Sequence, residues 1–272
     1  MNQGLFMIDL FHTLDSGQSF TWKKQGNFFV GIANGKLVRC RQEGEGMVGE
    51  GAPKSFFDAY FRLNDDFEGI KKKLAEDQFL SKPISSFPGL RILRQDPWEC
   101  AVSFVCSPLN NVKRITLMLS NLCRQYGEEK QAFGVTEHLF PSPDQVVDAG
   151  EASLRKMGFG FRARFAVELA KAVHENGLDL ASLRKKDYET ARQELLQVHG
   201  IGEKVADCIL LFSCDKLEAF PVDVWIDRVL RKNYGIRKKG PAASRLYGMK
   251  KFGENAGYAQ QFLYHGSRSR II

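Results

Sequence analysis

This sequence predicts an α+β chain in two parts: an amino-terminal lobe built on an antiparallel sheet with helices, followed by an all-α region. Two observations carry that division. Between Phe20 and Gln42, short runs rich in aromatic and β-branched residues are joined by Gly26-Asn27 and by Asn34-Gly35, the second a strong hairpin signal. From Pro97 onward the apolar residues recur at helical spacing, and breaks such as Ser142-Pro143 and Gly240-Pro241 separate the runs. The boundary is expected near residue 95, giving an α+β domain at 1–95 and a helical region at 96–272.

In chain order, strands are expected at 20–25, 28–33 and 36–42, covered by helices at 53–60 and 68–80. Helices then follow at 98–106, 110–126, 143–149, 163–175, 188–198, 203–214, 224–234 and 242–252. No internal repeat, low-complexity tract or long disordered linker interrupts them.

Composition narrows the class. A chain of 272 residues is long enough to bury a substantial core in two or three lobes. Its 39 Lys and Arg against 32 Asp and Glu give a formal charge of +7, compatible with an anionic partner. Between 231 and 251 stand Arg231, Lys232, Arg237, Lys238, Lys239, Arg245, Lys250 and Lys251 with no acidic residue. Such a run suits a phosphate backbone, the alternative being a solvated basic loop. No segment reads as a signal peptide or approaches the roughly 18 apolar residues of a membrane span. A cytoplasmic monomer with no membrane partner is expected. Cys40, Cys100, Cys106, Cys123, Cys208 and Cys214 show no paired spacing and no neighbouring histidines, so no metal site is expected.

The chemistry concentrates between Leu195 and Asp223. An apolar helical run ending at Val198 meets His199-Gly200-Ile201-Gly202, and a second run opens at Lys204, which reads as a helix-hairpin-helix at about 189–214. Glycines suit the tight turn and let a partner approach the main chain. The second helix begins with unpaired N–H groups and the positive end of its dipole, a site for phosphate, while Ile201 serves as a peg into the core. Lys204 stands in that first turn, at the unfavourable end of the dipole for a cation, which favours the neutral amine that attacks electrophilic carbon. A solvated, phosphate-binding lysine is the alternative. Asp223, in the loop 220–223, follows Pro221 and precedes an amphipathic run. It reads as an N-cap whose carboxylate can also stabilise positive charge on a sugar or manage the proton of the amine.

Gly200-Ile201-Gly202, Lys204 and Pro221-Val222-Asp223 together resemble the helix-hairpin-helix superfamily of DNA glycosylases with a Lys/Asp active site. Within it the chain most resembles the 8-oxoguanine DNA glycosylases. The narrower likeness rests on Ser16-Gly17-Gln18-Ser19-Phe20-Thr21-Trp22, Asn110-Asn111-Val112-Lys113-Arg114-Ile115, Gly158-Phe159-Gly160-Phe161-Arg162-Ala163-Arg164, Val205-Ala206-Asp207-Cys208 and Ala256-Gly257-Tyr258-Ala259-Gln260. These run in the family's order from Ser16 to Gln260. Some superfamily members carry a four-cysteine iron–sulfur loop after the catalytic helix; here no cysteine follows Cys214.

The resemblance implies excision of 8-oxoguanine from duplex DNA after the base is rotated out of the stack. Lys204 would attack C1′ and form a Schiff base that permits β-elimination, with Asp223 stabilising the oxocarbenium-like transition state and no cofactor required. The Gly17 carbonyl would accept from the N7–H that guanine lacks, and the absent side chain lets the base come close. Gln260 would bond the Watson–Crick edge, Cys208 would form one wall and Tyr264 would stack on the other face, where the family more often has phenylalanine. His199, Gly200, Gly202 and Val205 would hold phosphate. Opposite the vacated base, Asn110 and Arg114, four apart on one helical face, would act with Phe161 and Arg162, the guanidinium groups matching the acceptors of cytosine.

Leu109 stands where the family pattern has the first of three asparagines, Phe161 where it has tyrosine, and Trp225 where it has a histidine, so a looser preference for cytosine is expected. Two other readings stay open at this point: a sister glycosylase for alkylated or other damaged bases, and a non-catalytic helix-hairpin-helix DNA-binding module. The pairing of Lys204 with Asp223 argues against the module, and Gly17, Cys208 and Gln260 favour oxidised guanine.

Overall fold

Asn34 and Gly35 take φ of 48° and 70°, the left-handed pair that a two-residue hairpin turn requires. The sheet is built around that turn. In the computed structural model, which describes residues 7–175, 177–237 and 240–272, β1 (Trp22–Gln25), β2 (Phe28–Ala33), β3 (Lys36–Glu43) and β4 (Gly46–Glu50) run antiparallel in sequence order. Sequence reasoning found the first three and missed β4, whose glycines break the alternation of a strand. Gly49 explains itself in the fold: a Cβ there would begin 2.5 Å from the ring of Phe57, so the strand admits α2 (Lys54–Tyr60) against its face.

Three further helices complete the first lobe: α1 (Leu10–Asp15), α3 (Phe67–Ala75) and α4 (Ser81–Ser86). The expected helix at 68–80 is thus shorter, and the chain turns before restarting at Ser81. α1 was not anticipated. Asp9 caps it, accepting from the His12 amide at 2.9 Å, and its purpose is to deliver the loop that follows.

The second part contains α5 (Pro97–Val105), α6 (Val112–Tyr126), α7 (Pro143–Leu154), α8 (Arg162–His174), α9 (Tyr188–Leu196), α10 (Glu203–Ser213), α11 (Val224–Tyr234), α12 (Pro241–Phe252) and α13 (Ala256–Arg268). One feature departs from the expectation of helix alone, and one helix was not expected. β5 (Glu129–Ala132) and β6 (Val135–His138) form a hairpin turned by Phe133 and Gly134, at φ of 58° and 75°. Its strands are polar and half exposed, so no alternation betrays them. Helix α13 carries glycine at 257 and 266 and buries the polar Gln260, Gln261 and His265, so its buried side does not read as an apolar stripe in sequence. Gly257 has its reason in packing, since a Cβ there would meet Leu211 at 2.2 Å.

α5 and α10 form the centre, apolar along most of their length and buried. Phe104 of α5 stacks on Phe212 of α10 at 5.4 Å and takes the edge of Phe20 at 5.7 Å. The two parts are also joined by polar contacts: the Gln95 amide donates to the Phe212 carbonyl at 2.8 Å, and Asp215 gathers Arg62, Arg94 and Arg184. Among the described residues no helix is long and apolar enough to cross a membrane.

Candidate active site

The turn between α9 and α10 is held by the Ile201 amide donating to the Val198 carbonyl at 3.0 Å, with the Ile201 side chain buried as the expected peg. Gly200 is required twice over: φ is +95°, and a Cβ would lie 2.4 Å from the ring of Phe165. Gly202 caps α10 with no side chain to spend on it, so the amides of the first turn, Glu203, Lys204 and Val205, have neither an intrahelical nor a capping partner. His199 is exposed beside them, set edge-on to Phe165 at 5.1 Å and paired through Nδ1 with Glu168, which also accepts from Arg164 Nε at 2.8 Å.

Lys204 is half buried. Its Nζ donates to Ser107 Oγ at 3.0 Å and lies 5.0 Å from the centre of the Phe104 ring. One turn on, Cys208 is buried. Burial pushes its thiol up to about 11; Lys204 pulls it down, and the charges of Asp207 and Asp223 push it up. Asp223 caps α11 as expected: its Oδ1 accepts from the amides of Trp225 at 3.0 Å and Ile226 at 2.9 Å. Both bonds fall on Oδ1, which leaves Oδ2 with acceptor capacity.

Gly17 reaches the same place from the other end of the chain. Gln18, fully buried, holds its loop by accepting from the Leu93 amide at 2.8 Å and donating to the carbonyls of Thr13 and Arg91 at 2.9 and 2.8 Å. Gln95 donates to the Gln18 carbonyl at 2.7 Å and Gln261 to the Ser16 carbonyl at 3.1 Å. Gly17, at φ +75°, faces Tyr264: a Cβ would begin 3.3 Å from the tyrosine oxygen. Burial raises the Tyr264 phenol, and the nearby Asp223 carboxylate raises it further. Gln260, one turn earlier on α13, is 6% exposed, and its Oε1 has no hydrogen-bond partner in the protein. A buried amide oxygen left unpaired is costly and suits a ligand that donates to it. Lys204, Cys208, Asp223, Gly17, Gln260 and Tyr264 are therefore drawn from four separate segments to one location.

The residues expected to face the opposite strand are arranged differently. Helix α6 starts only at Val112, capped by Asn111, which accepts from the Arg114 amide at 3.0 Å. Asn110 therefore does not share a helical face with Arg114; it precedes the helix and donates to the Cys106 carbonyl at 2.9 Å. Arg114 is exposed, and Phe161 is 44% exposed, edge-on to Phe165 at 5.9 Å. Arg162 is only 4% exposed. Its guanidinium donates to the carbonyls of Pro108 and Leu109, the latter at 2.8 Å, with the Phe161 ring 4.3 Å away. Leu109 stands at φ +51° and is 93% exposed.

The basic run between 231 and 251 is partly spent on protein acids. Arg231 pairs with Asp227 at 2.8 Å, Lys251 with Asp77 at 2.9 Å, and Arg245 donates to Tyr188 at 2.9 Å, while Lys238 and Lys239 lie outside the described residues. Sequence reasoning missed Ser107 and Phe104, because a serine before a proline and a phenylalanine in an apolar helix carry no chemical pattern. Gln18 was visible in its motif, but its buried role was not.

Known proteins resemble this chain over most of its length. Residues 5–101 match the family model described as 8-oxoguanine DNA glycosylase, N-terminal domain, and residues 102–253 that of the HhH-GPD superfamily base excision DNA repair proteins. The chain is 34% identical to N-glycosylase/DNA lyase OGG1 of Arabidopsis thaliana, the match covering 93% of this chain and 75% of that protein. It is 31% identical to the N-glycosylase/DNA lyase of Saccharomyces cerevisiae, over 94% and 82% of the two chains. Among solved structures, the 8-oxoguanine glycosylase/lyase of Clostridium acetobutylicum, in complex with double-stranded DNA containing cytosine opposite 8-oxoguanine, superposes with a TM-score of 0.93 at 32% identity, covering 97% of this chain and 93% of that one.

Proposed function

The chain belongs to the HhH-GPD superfamily of base excision DNA repair proteins and, within it, to the N-glycosylase/DNA lyases, and from that premise we propose how its residues divide the work. It is a bifunctional 8-oxoguanine DNA glycosylase and lyase acting on duplex DNA in base excision repair. The observation that carries the assignment of roles is the convergence of Lys204, Cys208 and Asp223 with Gly17, Gln260 and Tyr264.

The extruded nucleotide enters between Cys208 and Tyr264. Gln260 takes the Watson–Crick edge with the amide whose oxygen is unpaired in the free protein, and the Gly17 carbonyl accepts from N7–H, the donor that distinguishes the lesion from guanine. The first-turn amides of α10, with His199, Gly200, Gly202 and Val205 around them, receive a backbone phosphate. Lys204 Nζ forms a bond to C1′ as the bond from C1′ to N9 breaks, and the base leaves with the bonding electrons and takes up a proton. Asp223 Oδ2 stabilises the positive charge on the sugar and accepts the amine proton. Opening of the sugar gives the Schiff base; loss of a C2′ proton then expels the 3′ phosphate. Such an enzyme works where the genome is held, in the cytoplasm of a cell without a nucleus.

The test is borohydride trapping on a duplex with 8-oxoguanine opposite cytosine. Wild type gives a covalent protein–DNA adduct and Lys204→Gln gives none; an adduct that persists in the variant removes Lys204 from the role of nucleophile.

A further inference from the structure

The bond from Lys204 Nζ to Ser107 Oγ, 3.0 Å long, has a direction that matters. A serine hydroxyl has one proton to give, and Ser107 gives it to the Phe104 carbonyl at 2.7 Å. Towards Lys204 it can therefore only accept. The contact consumes one N–H of the lysine and leaves the lone pair of a neutral amine unmasked. A hydroxyl that donated to the amine would cover that lone pair. Phe104, wedged between Phe20 and Phe212, is a rigid anchor for both partners.

Ser107 also opens the loop 107–111, and the rest of that loop faces outward. Arg162 grips the carbonyls of Pro108 and Leu109 from beneath, and Leu109 projects at φ +51° with 93% of its surface exposed. An apolar side chain held out in this way on a DNA-binding protein suits insertion between base steps. The acceptor for the nucleophile and the exposed leucine are thus two positions apart on one clamped segment. We propose that Ser107 is a positioning residue that holds the Lys204 amine with its lone pair free and links its alignment to the seating of Leu109 in the duplex. The inference rests on Lys204 being the nucleophile.

Single-turnover excision of 8-oxoguanine opposite cytosine, measured with duplex Kd, tests it through Ser107→Ala, Ser107→Thr, Leu109→Ala and the Ser107→Ala/Leu109→Ala double variant. Ser107→Ala slows excision about tenfold while the Kd stays within about twofold, because geometry rather than binding is lost. Ser107→Thr, which keeps the hydroxyl, recovers the rate to within about threefold of wild type. Leu109→Ala slows the wild-type background but adds less than about twofold to Ser107→Ala, the non-additivity of two links in one chain. Wild-type rates in Ser107→Ala, a threonine variant as slow as alanine, or effects that multiply in the double variant each overturn the proposal. Borohydride trapping separates this from the parent reading: a wild-type enzyme that gives no adduct refutes Lys204 as nucleophile, whereas equal trapping rates for wild type and Ser107→Ala refute only Ser107.

Discussion

The Tyr264 hydroxyl stands 3.3 Å from the point where a Cβ on Gly17 would begin, so residues 247 positions apart meet side by side in the fold. Gly17 is held at φ +75°, which L side chains rarely adopt. Gly17→Ala therefore costs about 1 kcal/mol of stability through backbone strain and displaces either Tyr264 or the incoming base. Excision of 8-oxoguanine falls more than excision of other damaged bases, measured as single-turnover rates on a lesion panel. Equal loss on every lesion contradicts a discriminating role for Gly17.

Asp223 carries a structural duty as a cap and, in the proposed mechanism, a chemical one, and two substitutions separate them. Asparagine keeps the cap on the amides of Trp225 and Ile226 but not the charge. Asp223→Asn leaves the Tm within a few degrees while excision drops by about a hundredfold or more. Asp223→Ala loses activity and about 1 kcal/mol of stability besides, read from urea unfolding. An active asparagine variant contradicts the electrostatic role.

Arg162 faces the loop 107–111 rather than solvent. Arg162→Ala leaves two carbonyls without their donor and destabilises by about 1–3 kcal/mol, and excision slows opposite all four bases. Arg162→Lys does not rescue it, because a point charge cannot fork across both carbonyls. A loss confined to substrates with cytosine opposite the lesion would show instead that the guanidinium leaves the loop to read that base.

These cases mark where sequence reasoning succeeds. The turn at Gly200 and Gly202, the first-turn position of Lys204 and the cap at Asp223 were legible because each is a local pattern set by a few neighbours. Helix α13 was not, because its glycines and the buried polar Gln260, Gln261 and His265 interrupt the apolar stripe that identifies a helix. Strand β4 and the second hairpin failed for related reasons, glycine in one and polarity in the other. Ser107 and the inward turn of Arg162 depend on contacts between segments distant in the chain, 97 residues apart for Ser107 and Lys204. No local pattern records such a pairing.

Glu99 gives the fold a pH dependence of definite sign. Burial, with Asp96 nearby, raises its carboxyl from 4.5 to about 7, even though it accepts from the amides of Asn34 and Gly35. Between those values the folded protein binds the proton more tightly than the unfolded chain, so this residue makes stability decline as pH rises from 4.5 to about 7. Glu99→Gln removes that contribution. Urea midpoints of the variant, plotted against pH, fall less steeply than those of wild type over this window; parallel curves contradict the assignment.

The most direct test of the central claim is to map the adduct itself. After borohydride trapping on an 8-oxoguanine duplex, nuclease and protease digestion followed by mass spectrometry locates the reduced deoxyribose remnant. The account predicts it on Nζ of Lys204. A remnant on any other lysine, or on the terminal amine, contradicts it.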